Sequence, residues 1–322
     1  MSINIKILDS IKTFKNFKFS EEDNSFLSDH NESAGIKLSI SSPLKLDQSF
    51  EDKKFLVYFL VKKELKESEI LQIFDATSRK RIGWCIPINA LDSKEHDYKD
   101  NKHFLRYAYI GMLNALNLDK EGLYLKNPEM ETLKTLKMGD LFHESTALLI
   151  ISEETLSEQF LIDRRLPALA TYGYTLLTNQ DPTNLYPHNK KVNSDKVYLD
   201  SVKNDITQLT YLKSIYVNVL PYEHQPIFRF FFLYQAIEML MELIFEIEQS
   251  KTIDRLLQAK GDTVLTKDIL SEMNQNTSEK KRMSLMVQRY CMCDRDTKNI
   301  IDSCKDLLKD LEINLDGDPI NL

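Results

Sequence analysis

Lys54-Phe55-Leu56-Val57-Tyr58-Phe59-Leu60-Val61-Lys62 is a β-branched and aromatic run bounded by charge at both ends, and it predicts a central strand. Working outward, Ile70 to Ala76 and Ile82 to Ile88 flank the polar turn Thr77-Ser78-Arg79-Lys80, the pattern of a hairpin. Ala147-Leu148-Leu149-Ile150-Ile151 reads as another buried strand. The alternating run Ile36-Lys37-Leu38-Ser39-Ile40, which follows the polar loop Asp29-His30-Asn31-Glu32-Ser33, reads as an edge or half-buried strand. Three or more strands are enough for a small sheet. Between His103 and Leu118 the residues Phe104, Tyr107, Ala108, Met112, Leu113 and Leu116 recur at helical spacing, so a helix is expected to pack on that sheet.

From about 173 to 196 the chain turns polar and turn-rich, through Thr178-Asn179-Gln180-Asp181-Pro182-Thr183-Asn184 and Pro187-His188-Asn189-Lys190-Lys191. Connections of this length are linkers or functional loops, and a domain boundary is expected here. Beyond it the text becomes helical. Pro221 and Pro226 precede a helix from about 227 to 249, and shorter helical pieces are expected near 251–259, 265–274, 278–291 and 296–311. The expected architecture is therefore α+β: an N-terminal mixed sheet-and-helix domain over 1–175, a polar connection over 176–200, and an antiparallel helical bundle over 201–322.

Composition excludes several function classes. Eight glycines in 322 residues is about a third of the usual ~7 %. The closest two, Gly111 and Gly122, are too far apart for any glycine-rich phosphate loop or nucleophile elbow. A net charge of −7 gives no global basic field for nucleic acid. Cys85, Cys291, Cys293 and Cys304 contain one CxC without a second pair or a nearby histidine, which is not a zinc signature. The opening MSINIKILDS has no leader pattern, so a cytoplasmic protein is expected. Arg229, Glu238, Glu242 and Glu246 interrupt the longest apolar stretch, Ile227 to Ile247, which argues against a membrane span. No cofactor motif is present, and neither a cofactor nor a metal is expected.

Four constellations carry the chemistry that remains. His143-Glu144 begins like a zincin helix, but Ala147 stands where the second histidine belongs, which favours a capping or surface role. Glu64-Leu65-Lys66 has the ExK spacing of metal-dependent nucleases, inside a charged run that also reads as a solvated turn. Asp163-Arg164-Arg165 offers guanidinium groups to a phosphate, and Tyr172-Gly173-Tyr174 offers rings beside them, the combination used for single-stranded nucleic acid. An acid beside two arginines also makes a surface ion cluster. Finally, Tyr234, Glu238 and Glu242 fall at i, i+4 and i+8, with Arg229 close to that face. Such a stripe serves a polar network between helices, or is the solvent face of an amphipathic helix.

The segment Phe228-Arg229-Phe230-Phe231-Phe232-Leu233-Tyr234-Gln235-Ala236-Ile237-Glu238-Met239-Leu240-Met241 resembles the first long helix of HEPN domains of bacterial antiviral and abortive-infection proteins. The resemblance covers roughly residues 200–322. In catalytic members an Arg followed by four to six residues and a His lies on a late helix, and dimerisation places two such motifs around one cleft. The resemblance thus implies metal-independent RNA cleavage, with the 2′-hydroxyl as nucleophile. No arginine of this sequence has a histidine at that distance, so no catalytic residue carries over. Asp316-Gly317-Asp318-Pro319 is a helix-start signal three residues before Leu322, which suggests a further natural helix, although an ordinary tail has the same text. If that helix exists it would be the place for the motif. If it does not, the chain resembles non-catalytic members, which serve as dimerisation and partner-binding modules.

Two principal readings follow. One is a cytoplasmic defence-type protein whose N-terminal domain senses or docks a partner and whose C-terminal half is the effector or dimerisation half, an RNase acting on RNA if a further helix supplies the Arg–His motif. The other is a non-enzymatic subunit of a larger complex, or a homodimer, with its aromatic helix face buried against a partner. A metal nuclease at Glu64 and Lys66 is a third.

Overall fold

The computed structural model describes residues 2–278 and 282, apart from 8–9, 30–36, 50, 52, 119–120, 127, 131–134, 157, 188–193, 202–209, 260–261 and 277. The chain divides into two compact units, Met1–Arg229 and a second beginning at Phe230.

The first unit is organised by a six-stranded mixed sheet. Its strands are β6 (Phe55–Val61), β7 (Leu71–Asp75), β8 (Arg81–Pro87), β10 (Thr146–Ser152), β11 (Thr175–Leu176) and β12 (Lys196–Leu199), in the order β11-β6-β10-β8-β7-β12. All neighbours are antiparallel except β7 and β12. The stretch around 54–62 is a strand, as its composition requires, and β7 and β8 form the expected hairpin. The polar residues 176–200 contribute β12 and part of β11 to this sheet.

Every residue of β10 is buried. Side chains alternate across a strand, so Leu148 and Ile150 join one core with Phe59, Val61, Trp84 and Ile86, while Ala147, Leu149 and Ile151 join another with Leu60, Leu71, Ile82 and Leu199. Helix α2 (Lys102–Asn117) covers β6, β8 and β10 on the first side. It starts where Asn101 Oδ1 accepts from the Phe104 N–H, satisfying one orphan donor of the first turn. Phe160, Leu169 and Tyr174, from the segment around α4 (Leu166–Thr171), cover the second side. Burying each large aliphatic side chain in these cores stabilises the fold by about 1.5–3 kcal/mol.

Gly83 permits a close approach of β8 to β10. A Cβ there would lie 2.1 Å from the Ile150 carbonyl oxygen, a backbone atom that cannot move aside alone.

The first fifty residues are more ordered than their mixed text implies. β1 (Ser2–Ile7) and β2 (Ser10–Lys15) pair antiparallel, and β1 pairs parallel with β9 (Glu129–Met130). Ile3, Ile5 and Ile7 are buried while Asn4 and Lys6 are exposed, a period of two that the interleaved charges conceal. β3 (Lys18–Ser20), β4 (Ser25–Leu27) and β5 (Ser39–Ser41) form a further small sheet. Two short helices, α1 (Ile88–Leu91) and α3 (Met138–Leu141), complete the surroundings of the first core.

The protein is α+β, but the antiparallel bundle expected over 201–322 is not what the structure shows. Helix α5 (Thr210–Ser214) and the π-helical turn Ile215–Val219 belong to the first unit. Then α6 (Pro226–Gln258) runs unbroken for 33 residues. The pieces expected at 227–249 and 251–259 are one helix because no glycine or proline stands between 227 and 260 to end it. A bundle turn is thereby lost. Helix α7 (Thr263–Asn276) follows, capped by Asp262 Oδ1, which accepts from the N–H groups of Val264 and Leu265 at 3.0 Å each. The piece expected at 296–311 and the Asp316–Pro319 signal lie outside the described residues, as does all of 278–291 except Ser278 and Arg282. Among the described residues no helix is long and apolar enough to cross a membrane.

Candidate functional site

The structure separates the four residues read as nucleic-acid contacts. Tyr174 is buried, and its hydroxyl donates to Glu69 Oε1 at 3.3 Å. Arg165 donates to the Leu199 carbonyl and, at 3.0 Å, to Asp75 Oδ2, with both charged side chains largely buried. That clamp ties the turn at 162–165 to β7 and β12. Arg164 has a buried Nε without a hydrogen-bond partner, and Tyr172 is half-buried against the second core. Asp163 pairs with Lys213 at 2.9 Å. Rings and cations here are spent on the interior, because the segment that carries them is the lid of the second core.

The other candidates occupy turns. Glu64 has a left-handed φ of 54° and, like Lys66, is exposed just after β6. His143 Nδ1 accepts from the Ser145 N–H at 3.2 Å, a local turn contact, and burial lowers the pKa of its imidazole. Among the described residues no group of three or more His, Cys, Asp or Glu side chains is placed to hold a metal.

A titratable cluster that sequence reasoning missed lies on the second face of the sheet. Lys62 directly follows β6 and forms an ion pair with Glu69, both side chains mostly buried. Its ammonium also sits 5.1 Å from the Tyr174 ring centroid. Cys85 adjoins this group. Burial, reinforced by the charge of Glu69, pushes its thiol up to about 12, and burial likewise pushes the Tyr174 phenol well above its ordinary range. A thiol so raised stays protonated and is a poor nucleophile. The cluster therefore locks the turn after β6 to the sheet. Its sequence signal was a lysine directly after seven strand residues, which is also what an ordinary solvated strand end looks like.

In the first unit, Arg229 lies 3.8 Å over the Tyr186 ring and donates to the carbonyls of Leu220 and Glu223. Burial lowers its pKa. It satisfies the end of the π-helical turn and is no member of an acidic stripe. In the second unit, Glu238 and Glu242 are exposed, and Glu242 pairs with Arg282 at 2.9 Å. Tyr234 stacks on Phe230. This is the solvent-face reading of the stripe.

What distinguishes α6 is an inversion. Met241, Glu248, Thr252 and Ala259, at i, i+7, i+11 and i+18, share one helix face and are all buried. Glu248 is 7 % exposed and accepts from Lys251 Nζ at 2.9 Å, and Thr252 Oγ1 donates to the Glu248 carbonyl at 2.7 Å. Yet Phe230, Phe231, Leu233, Ile247, Ile253 and Leu257 on the same helix are exposed, as are Val264, Leu265 and Leu270 on α7. Compared with family models, with curated proteins and with solved structures, the chain matches none of them. The assignment of function accordingly stands on this geometry.

The exposed apolar side chains of the second unit keep between 36 % and 71 % of their surface in water. They are distributed around the circumference of α6 and along α7. A helix that is apolar all round is ordinarily buried.

Proposed function

We propose that this protein is a non-enzymatic interaction module that self-associates through the outer surface of α6 and α7. The observation that carries the reading is the inversion of α6, in which a glutamate and a threonine are buried while phenylalanines and leucines face water. A second copy of the chain carries the same exposed apolar side chains and would cover them on association. The resemblance of residues 228–241 to HEPN helices supports the same reading, since non-catalytic members of that family dimerise, and it supports a role in antiviral defence. A ribonuclease step would need the Arg–His spacing that this sequence lacks.

Light scattering across a concentration series tests this. The protein should be a dimer, and the double variant Phe231→Glu with Leu257→Glu should be a monomer with an unchanged circular-dichroism spectrum. Wild-type protein that stays monomeric at the highest attainable concentration would overturn the proposal.

A further inference from the structure

Helix α2 covers β6, β8 and β10, and the sheet continues past it to β7 and β12. On those strands Leu71, Ile73, Val197 and Leu199 point into the second core. Phe74 and Tyr198, which are register partners, therefore project from the opposite face. Tyr198 is 37 % exposed and Phe74 is half-buried, with ring centroids 5.2 Å apart at 34°.

Cations surround the pair. Arg79, held at a left-handed φ of 57° in the hairpin turn, places its guanidinium 4.9 Å from the Tyr198 ring centroid. Arg81, opposite Phe74, donates to Gln72 Oε1 at 3.3 Å, and Lys80 and Lys196 are exposed beside them. Several carboxylates are near, among them Asp97 beside Tyr98 and Asp200 directly after β12. Asp75 is engaged by Arg165, and Asp195 Oδ2 accepts from Tyr98 at 2.7 Å and from Gln72 at 2.9 Å.

We infer that the β7–β12 face binds single-stranded RNA. Bases would stack on Phe74 and Tyr198, with Arg79 as a planar cationic partner, and phosphates would meet Arg81, Lys80 and Lys196. Unpaired bases fit where a duplex does not, because stacking on a sheet needs an exposed base face. Asp195, an acceptor among cations, suits a ribose 2′-hydroxyl rather than another phosphate. The inference is independent of the proposed dimer, which uses other residues.

Fluorescence anisotropy with a labelled single-stranded RNA of about 12 nucleotides, within the usual site size, tests it on the full chain. Wild-type binding should weaken steeply with salt. Tyr198→Ala should lose roughly 5- to 100-fold in affinity, the range measured for losing one stacked base. Tyr198→Phe should bind as the wild type does. Lys196→Ala should lower the salt slope by about 0.7, one phosphate contact on a single strand. Should Tyr198→Ala fail to fold, Arg79→Ala, at an exposed turn position, gives the same readout. Equal affinity in wild type, Tyr198→Ala and Arg79→Ala would overturn the inference. So would equally tight binding of duplex RNA, of DNA of the same sequence, or of a polyglutamate competitor.

Discussion

The six-stranded sheet and helix α6 are both rich in apolar residues, yet the sheet hides nearly all of them and the helix shows many. A strand has two faces, and the first unit supplies a cover for each, α2 on one side and the segment around α4 on the other. Burial on β10 is complete for that reason. A helix with apolar residues on all sides needs cover over its whole circumference. Among the described residues of the second unit the buried side chains of α6 are Ala236, Met241, Glu248, Thr252 and Ala259, so they include a glutamate and a threonine. The difference teaches that apolar composition reports how much surface must be covered, while topology decides whether the same chain covers it.

The contrast breaks first at Gly83. Gly83→Ala puts a methyl group 2.1 Å from the Ile150 carbonyl oxygen, beyond the ~1–3 kcal/mol of ordinary overpacking. The variant should give no folded first unit, seen as loss of protease resistance for fragments from 55 to 176. Lys62→Ala comes next, because it leaves Glu69 as an uncompensated buried charge. It should cost about 3–5 kcal/mol in urea unfolding, whereas Lys62→Met combined with Glu69→Leu should be close to neutral.

The Arg165 clamp sharpens the comparison through pH. Burial works to raise the pKa of Asp75, but hydrogen bonds from the Ser78 backbone and from Arg165 outweigh it, and the net direction is down from 3.8. A carboxylate depressed in the folded state stabilises above its unfolded pKa and loses that contribution as pH falls through the folded one. Asp75→Asn should therefore be less stable than wild type by about 1–3 kcal/mol near neutrality. The difference should narrow as pH falls below about 4, the unfolded Asp value. A gap that stays constant down to pH 2 would show that the clamp is not electrostatic.

The smallest effect belongs to α6. Leu257 is 71 % exposed, so Leu257→Ser should shift the unfolding free energy by less than about 0.5 kcal/mol when measured on dilute monomer. The same variant should weaken the dimer measurably in sedimentation equilibrium. A large loss of monomer stability would mean that Leu257 is buried in its own chain and that the two regions are not different in kind.

Much of the first unit was legible because its signals are local. The hairpin turn, the run at 55–61 and the period of α2 each lie within a short window, and each element formed close to its expected bounds. The candidate sites were less legible. Arg165 and Tyr174 have the residue types of a nucleic-acid contact, but α4 turns them inward. The aromatic and cationic surface that does face water joins Phe74 to Tyr198 through a parallel pairing, and no window of sequence contains both. The unbroken α6 was misjudged for a different reason. No glycine or proline separates the pieces expected at 227–249 and 251–259, and the polar residues there cost a helix only tenths of a kcal/mol.

Alternation and helical period, together with the scarcity of glycine, determined from the sequence alone that the chain is α+β, where its central strands and sheet-covering helix lie, and that glycine-loop chemistry is excluded. These are properties of neighbours along the chain, set by local sterics and solvation. Tertiary structure decided which arginines and tyrosines are spent on the interior, that Lys62 and Glu69 meet in a buried pair, and which apolar residues of α6 stay in water. Those outcomes depend on residues far apart in the chain competing for the same buried volume, and that competition is settled only when the whole fold closes.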